Sequence, residues 1–255
     1  MQWIWPVVLG VVGLFVGGFL TTVAARVPDQ QPLARGPQCG ACGADIVAAD
    51  RIPVASWVIL RGRCRACGAR IPASYPLVEL TTALLFAGTT AVAGVTWELP
   101  ALLYLAALTV VATTIDLQHH RLPDAIVLPS YPAMLALLAL ALAGPAGLPD
   151  YGRALLAGIA MFAAYLVLAM ISPSGLGGGD VKLAGVLGLV LGWYGWWQVL
   201  VGGFSAFFLG AIVGLALMVL GRAGRKSKIP FGPFMFLGTY VGLLFGDTVA
   251  QWYLG

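Results

Sequence analysis

Charged residues are scarce in this chain, and their scarcity limits what kind of protein it is. Asp, Glu, Lys and Arg together make up 9% of the 255 residues, whereas 60% of the residues are hydrophobic. The mean hydropathy is +0.93. Globular domains usually carry about a quarter charged residues, so an ordinary globular composition is excluded. The composition instead indicates a protein that crosses a membrane several times.

The chain also lacks a concentrated basic surface. The net charge is +4, but the 14 basic residues are scattered between apolar runs. A nucleic-acid-binding domain gathers its Lys and Arg residues on one face or along one helix. We therefore expect no nucleic-acid partner and a lipid bilayer as the surroundings.

Apolar runs of membrane-spanning length occur eight times along the chain. A transmembrane helix needs about 20 apolar residues. The eight runs cover Trp3–Ala25, Leu77–Val95, Leu99–Ile115, Ala125–Ala143, Ala154–Ile171, Val181–Trp197, Gln198–Leu220 and Phe231–Val249. The sequence thus predicts an all-α polytopic membrane protein with about eight transmembrane helices and a small polar domain between the first two.

The basic residues predict how the spans are oriented. If the spans alternate in direction, thirteen of the 14 basic residues lie on one side, and Arg153 is the exception. Loops rich in Lys and Arg stay in the cytoplasm. No Lys or Arg precedes the first apolar run, which disfavours a cleaved signal peptide. We expect a permanent first anchor with its N-terminus outside.

All four cysteines lie in the polar segment between the first two spans. They form two Cys-x-x-Cys pairs, Cys39 with Cys42 and Cys64 with Cys67, separated by 21 residues. This pattern resembles a four-cysteine zinc site, slightly beyond the usual spacing of about 15–20 residues. A pair of disulfides, a redox dithiol pair and a catalytic zinc are the alternatives. A cytoplasmic loop disfavours disulfides, and four thiolates leave no open position for catalysis, so we predict structural zinc.

Two aspartates stand at the borders of predicted spans, beside glycine or proline breaks. Asp116 closes the third span, and Asp180 opens the sixth within the sequence Gly-Gly-Gly-Asp. Carboxylates are rare at such places unless they function. Two close carboxylates share a proton, and the pair then supplies a base and an acid for peptide hydrolysis. The alternative is that Asp180 caps its helix and Asp116 ends its helix in water, and the residues alone do not decide between the two.

The remaining polar residues near the spans favour simpler roles. Asp124 follows a proline and precedes an apolar run, which is typical of a helix cap. His119 and His120 are expected to be solvated loop residues. Glu79 lies just inside the second span and is left open between a functional and a positional role. Lys182 is predicted to pair with the neighbouring aspartate of the sixth span or with a lipid phosphate.

The ordered set of motifs resembles a known family, the bacterial type IV prepilin peptidases, which act as leader peptidase and N-methyltransferase. The resemblance covers almost the whole chain. Its motifs are Gly17-Gly18-Phe19-Leu20, Arg26-Val27-Pro28, Ile52-Pro53-Val54, Ser56-Trp57, Leu60-Arg61-Gly62-Arg63-Cys64, Tyr75-Pro76-Leu77-Val78-Glu79-Leu80, Asp116 through Leu122-Pro123-Asp124, and Gly177 through Asp180-Val181-Lys182-Leu183.

The resemblance implies a catalytic dyad of Asp116 and Asp180, and a metal site of Cys39, Cys42, Cys64 and Cys67. The implied substrates are prepilins or pseudopilins, cut after a glycine that ends a short basic leader. The new N-terminal amine would then be methylated from S-adenosylmethionine. The implied location is the bacterial inner membrane, with the active site and the zinc module on the cytoplasmic side.

We accordingly expect three parts: a first anchor over residues 1–25, a zinc module over 26–76 and a seven-helix peptidase domain over 77–255. Presenilin-type proteases share the Gly-x-Gly-Asp motif, but their first aspartate typically follows tyrosine, whereas Asp116 follows Ile115. A zinc-ribbon membrane transporter or assembly scaffold is the alternative from another class. A transporter is expected to carry its acids near the bilayer midplane, and these two lie at span ends.

Overall fold

The structure is a computed structural model that describes residues 3–33, 36–172, 175–222, 224 and 229–255. Within these residues it is all-helical, with two isolated β-bridges and no strands. The helices are α1 (Ile4–Arg26), α2 (Ala55–Ile59), α3 (Ser74–Ala93), α4 (Leu99–His119), α5 (Asp124–Ala141), α6 (Leu148–Ile171), α7 (Gly178–Tyr194), α8 (Trp196–Val219) and α9 (Gly232–Leu254). The basic residues Arg35, Arg225, Lys226 and Lys228 lie outside the described residues.

The predicted all-α membrane fold is confirmed. Apart from the short α2, the helices follow the eight predicted spans in order. Seven of them are long and apolar enough to cross a membrane. The eighth, α7, has 17 residues, which is at the short end of the usual range of about 17–25.

Helix contacts divide the chain into two units, Met1–Thr114 and Ile115–Gly255. In the first unit α1 packs along α3. A Cβ atom added at Gly17 would lie 2.6 Å from the Cα atom of Glu79, and one at Gly13 would lie 2.8 Å from that of Ala83. The two backbones therefore approach closely only because small residues line α1, as is common between membrane helices.

In the second unit α7 is the central helix, and 12 of its residues are buried. It packs on α6, where a Cβ atom at Gly188 would lie 2.7 Å from the carbonyl oxygen of Ala157. The neighbouring pair α8 and α9 makes the same kind of contact, since a Cβ atom at Gly242 would meet the Cα atom of Gly202 at 2.9 Å. These glycines let the backbones of the paired helices approach closely.

Candidate active site and metal centre

Asp116 lies in the last turn of α4 and is buried, with 4% of its surface exposed. Its Oδ2 atom accepts a hydrogen bond of 2.9 Å from the backbone N–H of Gly232, the first residue of α9. A helix N-terminus attracts negative charge because its N–H groups and its dipole point at the anion. Asp116 therefore does not end its helix in water, and that alternative is wrong.

Asp180 is the third residue of α7 and is half-buried. Its Oδ2 atom accepts a hydrogen bond of 2.8 Å from the N–H of Gly177, the residue that caps the helix. The helix-capping alternative thus describes one real interaction of this side chain. It does not exclude a second role, because Asp180 also lies within electrostatic range of Asp116.

Leu122 shows how the segments around the two aspartates meet. A Cβ atom added at Gly179 would lie 2.9 Å from the Cβ atom of Leu122. A Cβ atom at Gly232 would lie 3.6 Å from Cδ1 of Leu122 and 2.8 Å from Oδ2 of Asp116. The end of α4, the start of α7 and the start of α9 therefore converge within the second unit, which brings the two carboxylates into one site.

Two residues of this site, Gly232 and Tyr165, were not found by sequence reasoning. Gly232 sits between a phenylalanine and a proline at the start of the last predicted span, and this break was the available signal. Tyr165 is a polar aromatic residue in the apolar run of α6. It is 3% exposed and lies within electrostatic range of Asp180. Neither the glycine nor the tyrosine belongs to a motif whose spacing predicts chemistry.

Lys182 binds a different partner from the ones predicted. Its Nζ atom lies 2.7 Å and 2.8 Å from the two carboxylate oxygens of Asp124. Residues two apart on a helix do not face each other, so Lys182 is turned away from Asp180. The prediction that Asp124 caps its helix is also wrong: it is the first residue of α5, and no side-chain capping bond forms there. The ion pair instead ties the start of α5 to the start of α7.

Asp124→Asn is expected to be a mild variant. The ion pair with Lys182 is partly exposed, with 57% of the Asp124 side chain open to solvent, and exposed pairs contribute about 0.2–1 kcal/mol. We expect the cleavage activity that the resemblance implies to stay within about tenfold of wild type, because about 1.4 kcal/mol corresponds to a factor of ten and the ion pair contributes less than that. The thermal midpoint should fall slightly. Loss of cleavage as severe as that of an Asp180 variant would contradict the structural role.

The two histidines are exposed to solvent, as the sequence predicts, but His119 lies in the last turn of α4 and not in a loop. His119 ends α4 and His120 follows it, and both are exposed. Metal-ligating clusters of His, Cys, Asp or Glu among the described residues involve neither of them.

The four cysteines of the first unit come together in the geometry of a metal site. Their Sγ atoms all lie within 4.8 Å of one another, and the Sγ atoms of Cys39 and Cys67 are 3.9 Å apart. Zinc–sulfur bonds of about 2.3 Å in a tetrahedron place sulfur atoms about 3.8 Å apart. The set of donors therefore fits a tetrahedral thiolate-bound ion. All four cysteines are free thiols, which does not support the disulfide alternative.

The two Cys-x-x-Cys segments fold in the same way. The N–H of Cys39 donates to the carbonyl of Ala44 at 2.9 Å, and the N–H of Cys64 donates to that of Ala69 at 2.8 Å. The glycine after each second cysteine has the same positive φ of 71°, a conformation that favours glycine. Backbone N–H groups of Cys42 and Ala41 lower the pKa of the Cys39 thiol to about 6. Thiolate is the form that binds metal.

Glu79 has a positional contact within the first unit. Its Oε2 atom accepts a hydrogen bond of 2.7 Å from the N–H of Val54. Val54 has φ of +60°, which a β-branched residue rarely adopts. The carboxylate of α3 therefore holds a strained residue of the cysteine module.

We expect Glu79→Ala to lower the free energy of unfolding of the cysteine module by about 1.5 kcal/mol, which is the contribution of a hydrogen bond to a charged group. Limited proteolysis around Val54 and the thermal midpoint measure the effect. Glu79→Gln is the matched control, because it keeps an acceptor oxygen. Adding Val54→Gly to the alanine variant should restore part of the stability, and no difference between Ala and Gln at this position would contradict the contact.

Comparisons with known proteins show which family the chain belongs to. Residues 11–93 match the bacterial peptidase A24 N-terminal domain, and residues 102–219 match the type IV leader peptidase family. The prepilin leader peptidase/N-methyltransferase of Bacillus subtilis is 33% identical over 249 residues, covering 97% of each chain. The chain belongs to the type IV leader peptidase family.

Further relatives carry the same name. The prepilin leader peptidase/N-methyltransferase of Aeromonas hydrophila is 32% identical and covers 100% of this chain and 95% of its own. The one from Myxococcus xanthus is 38% identical and covers 88% and 67%. No solved structure matches the chain significantly.

These findings confirm the family that the sequence motifs suggested. The chain is a membrane-embedded enzyme, a leader peptidase with an N-methyltransferase activity. The transporter or scaffold alternative is not favoured.

Proposed function

We propose that Asp116 and Asp180 are the catalytic dyad of leader removal. The observation that carries this proposal is that a buried carboxylate and a half-buried one lie where the end of α4 meets the starts of α7 and α9. Each has one oxygen fixed by a backbone N–H, from Gly232 and from Gly177 respectively. Fixed carboxylates of this kind hold their geometry at no further entropic cost when a substrate binds.

The proposed chemistry is that of an aspartic protease. The ionised carboxylate takes a proton from a water molecule, whose oxygen attacks the carbonyl carbon of the scissile peptide bond. The protonated carboxyl then gives its proton to the leaving amine as the C–N bond breaks. Water is consumed, and the products are a carboxylate on the leader and a free amine on the mature chain.

The proposed substrates are prepilins or pseudopilins, cut after the glycine that ends their leader. The names of the relatives support this choice. We propose that the enzyme resides in the bacterial inner membrane with its N-terminus outside and its site in the cytoplasm. The distribution of 13 of the 14 basic residues supports that orientation. Reporter fusions at the two ends of α1 test it.

The proposed metal is one structural zinc ion, held by Cys39, Cys42, Cys64 and Cys67. The ion would crosslink two segments of a polar module that is too small to stabilise itself by apolar burial. The proposed division of the chain into an anchor over 1–25, this module and a membrane domain over 77–255 remains a prediction.

The proposed methyl donor is S-adenosylmethionine, which would supply an electrophilic methyl group for the new amine. The cysteine module borders a cavity of about 570 Å³, lined among others by Asp45, Arg70 and Tyr75. Ligand sites typically have volumes of about 300–1,000 Å³, so the size of this cavity supports the proposal, and Cys39 and Cys64 line it on the side of the metal site. The acidic, basic and aromatic side chains of Asp45, Arg70 and Tyr75 are the ones that would hold the methyl donor.

The experiment that tests the function uses the purified full chain, a prepilin peptide with its leader, and labelled S-adenosylmethionine. Mass read-out follows leader removal and methylation separately. We expect cleavage after the glycine first and methylation of the new amine afterwards, because methylation needs a free amine. Methylation of uncut peptide, or cleavage elsewhere, would contradict the proposal.

A further inference from the structure

Tyr165 is a buried tyrosine whose hydroxyl has no hydrogen-bond partner. Only 3% of the residue is exposed, and its hydroxyl is the one buried side-chain polar atom without a partner among the described residues. Burying an unpaired hydroxyl costs free energy, whereas a phenylalanine of the same shape would bury only apolar surface. Buried hydroxyls are therefore nearly always paired, and this one calls for an explanation.

The surroundings of Tyr165 connect it to both aspartates. Its ring packs against Phe207 of α8 with a centroid distance of 5.2 Å and against Phe231 with one of 6.4 Å. Phe231 is followed directly by Gly232, whose N–H binds Asp116. Tyr165 also interacts electrostatically with Asp180. The two phenylalanine rings fix the position of the tyrosine ring, close to the start of α9 that binds Asp116.

Hydrolysis at the dyad requires a hydrogen-bond donor next to the scissile carbonyl group. When water attacks the scissile carbonyl, negative charge develops on the carbonyl oxygen. Asp116 and Asp180 are acceptors when ionised, and the single proton they share is used for the leaving amine. A neutral hydroxyl that keeps its proton is suited to stabilise the developing charge, and an apolar, water-poor environment strengthens that interaction.

We propose that the Tyr165 hydroxyl donates a hydrogen bond to the carbonyl oxygen of the scissile glycine as it becomes an oxyanion. This inference rests on the proposed dyad and adds to it a third catalytic residue, supplied by α6. No bond forms or breaks at the tyrosine: its O–H remains intact, and the proton of the attacking water still goes to the dyad. The hydroxyl's partner is thus the substrate, which explains why the enzyme's own residues leave it unpaired.

The test is Tyr165→Phe, which removes one oxygen atom and keeps the ring packing. Because the bond is stronger in the transition state than in the bound substrate, we expect kcat to fall about 100-fold with KM changed by less than about threefold. The thermal midpoint in detergent should stay level or rise, since no internal hydrogen bond is lost. Methylation of a pre-cut pilin peptide should be retained.

The matched control is Tyr151→Phe on the same helix. The Tyr151 hydroxyl donates to the carbonyl of Leu135 at 3.3 Å, so this variant loses an internal hydrogen bond and no substrate contact. We expect a kcat close to that of wild type and a slightly lower thermal midpoint. The two variants should therefore show opposite patterns of activity and stability.

Three results would overturn the inference: a kcat of Tyr165→Phe within threefold of wild type, a change confined to KM, or a fall in activity accompanied by a lower thermal midpoint. Measuring Asp180→Asn in parallel distinguishes a failure of the tyrosine assignment from a failure of the proposed dyad. If Asp180→Asn is inactive and Tyr165→Phe is fully active, only the tyrosine assignment fails. If Asp180→Asn cleaves normally, the dyad fails and the tyrosine assignment fails with it.

Discussion

Asp180→Asn is expected to lower the rate of leader removal about 1,000-fold or more. Asparagine keeps the shape of the side chain and an oxygen that accepts the hydrogen bond of 2.8 Å from Gly177. The start of α7 should therefore remain folded, while the site loses a group that accepts or delivers the proton. Asp116→Asn should show a loss of the same order, because its oxygen still accepts the N–H of Gly232 but its proton chemistry is gone.

The measurement is the initial rate of cleavage of a prepilin peptide by purified protein. Asp124→Asn is the control, since that aspartate binds Lys182 and takes no part in the proposed reaction. Methylation of pre-cut peptide shows whether each variant is folded and should be retained in all three. Cleavage by Asp180→Asn or Asp116→Asn within a few-fold of wild type would be incompatible with the dyad.

Loss of one cysteine ligand is expected to remove the metal almost completely. Purified protein should contain about one zinc ion per chain, and Cys42→Ser should contain nearly none, because three thiolates cannot complete the tetrahedral site. Elemental analysis measures the zinc, and limited proteolysis should show a looser segment over residues 36–70. Ala41→Ser is the matched control: it adds a hydroxyl at an exposed neighbouring position and removes no ligand.

The same variants test whether the two activities are separable. The dyad lies in the second unit and the cysteine module in the first, so the two sites need not share residues. We expect Cys64→Ser to lose methylation and to retain some cleavage, whereas Asp180→Asn should still methylate pre-cut peptide. If every cysteine variant loses both activities in proportion to the amount of folded protein, the module serves only to stabilise the fold. The claim that the two activities are separable would then be wrong.

Much of the fold was predictable because membrane helices follow from local composition. Runs of about 20 apolar residues predict the eight long helices of the described residues in the right order. The observed helices differ from the predicted ones only in where they begin and end. The four cysteines were also predictable, since Cys-x-x-Cys spacing puts two thiolates on one turn. These signals lie within short stretches of sequence, where spacing determines geometry.

The contacts that complete the site were not predictable in this way. Gly232 binds a carboxylate 116 residues earlier in the chain, and a glycine N–H carries no chemical signature in a sequence. Lys182 was assigned to a sequence neighbour, yet its partner Asp124 is 58 residues away. Tyr165 lies in an ordinary apolar run, and only its packing against other helices shows its hydroxyl to be buried and unpaired. Such features depend on how helices meet.

The most direct test of the central claim compares single-turnover cleavage rates of Asp116→Asn, Asp180→Asn and the double variant. Residues that act as one unit give strongly non-additive losses. If the two carboxylates share one proton, the double variant should be no slower than either single variant, because removing one carboxylate already disables the shared proton chemistry. Losses that multiply in the double variant would show two independent sites and would contradict the dyad.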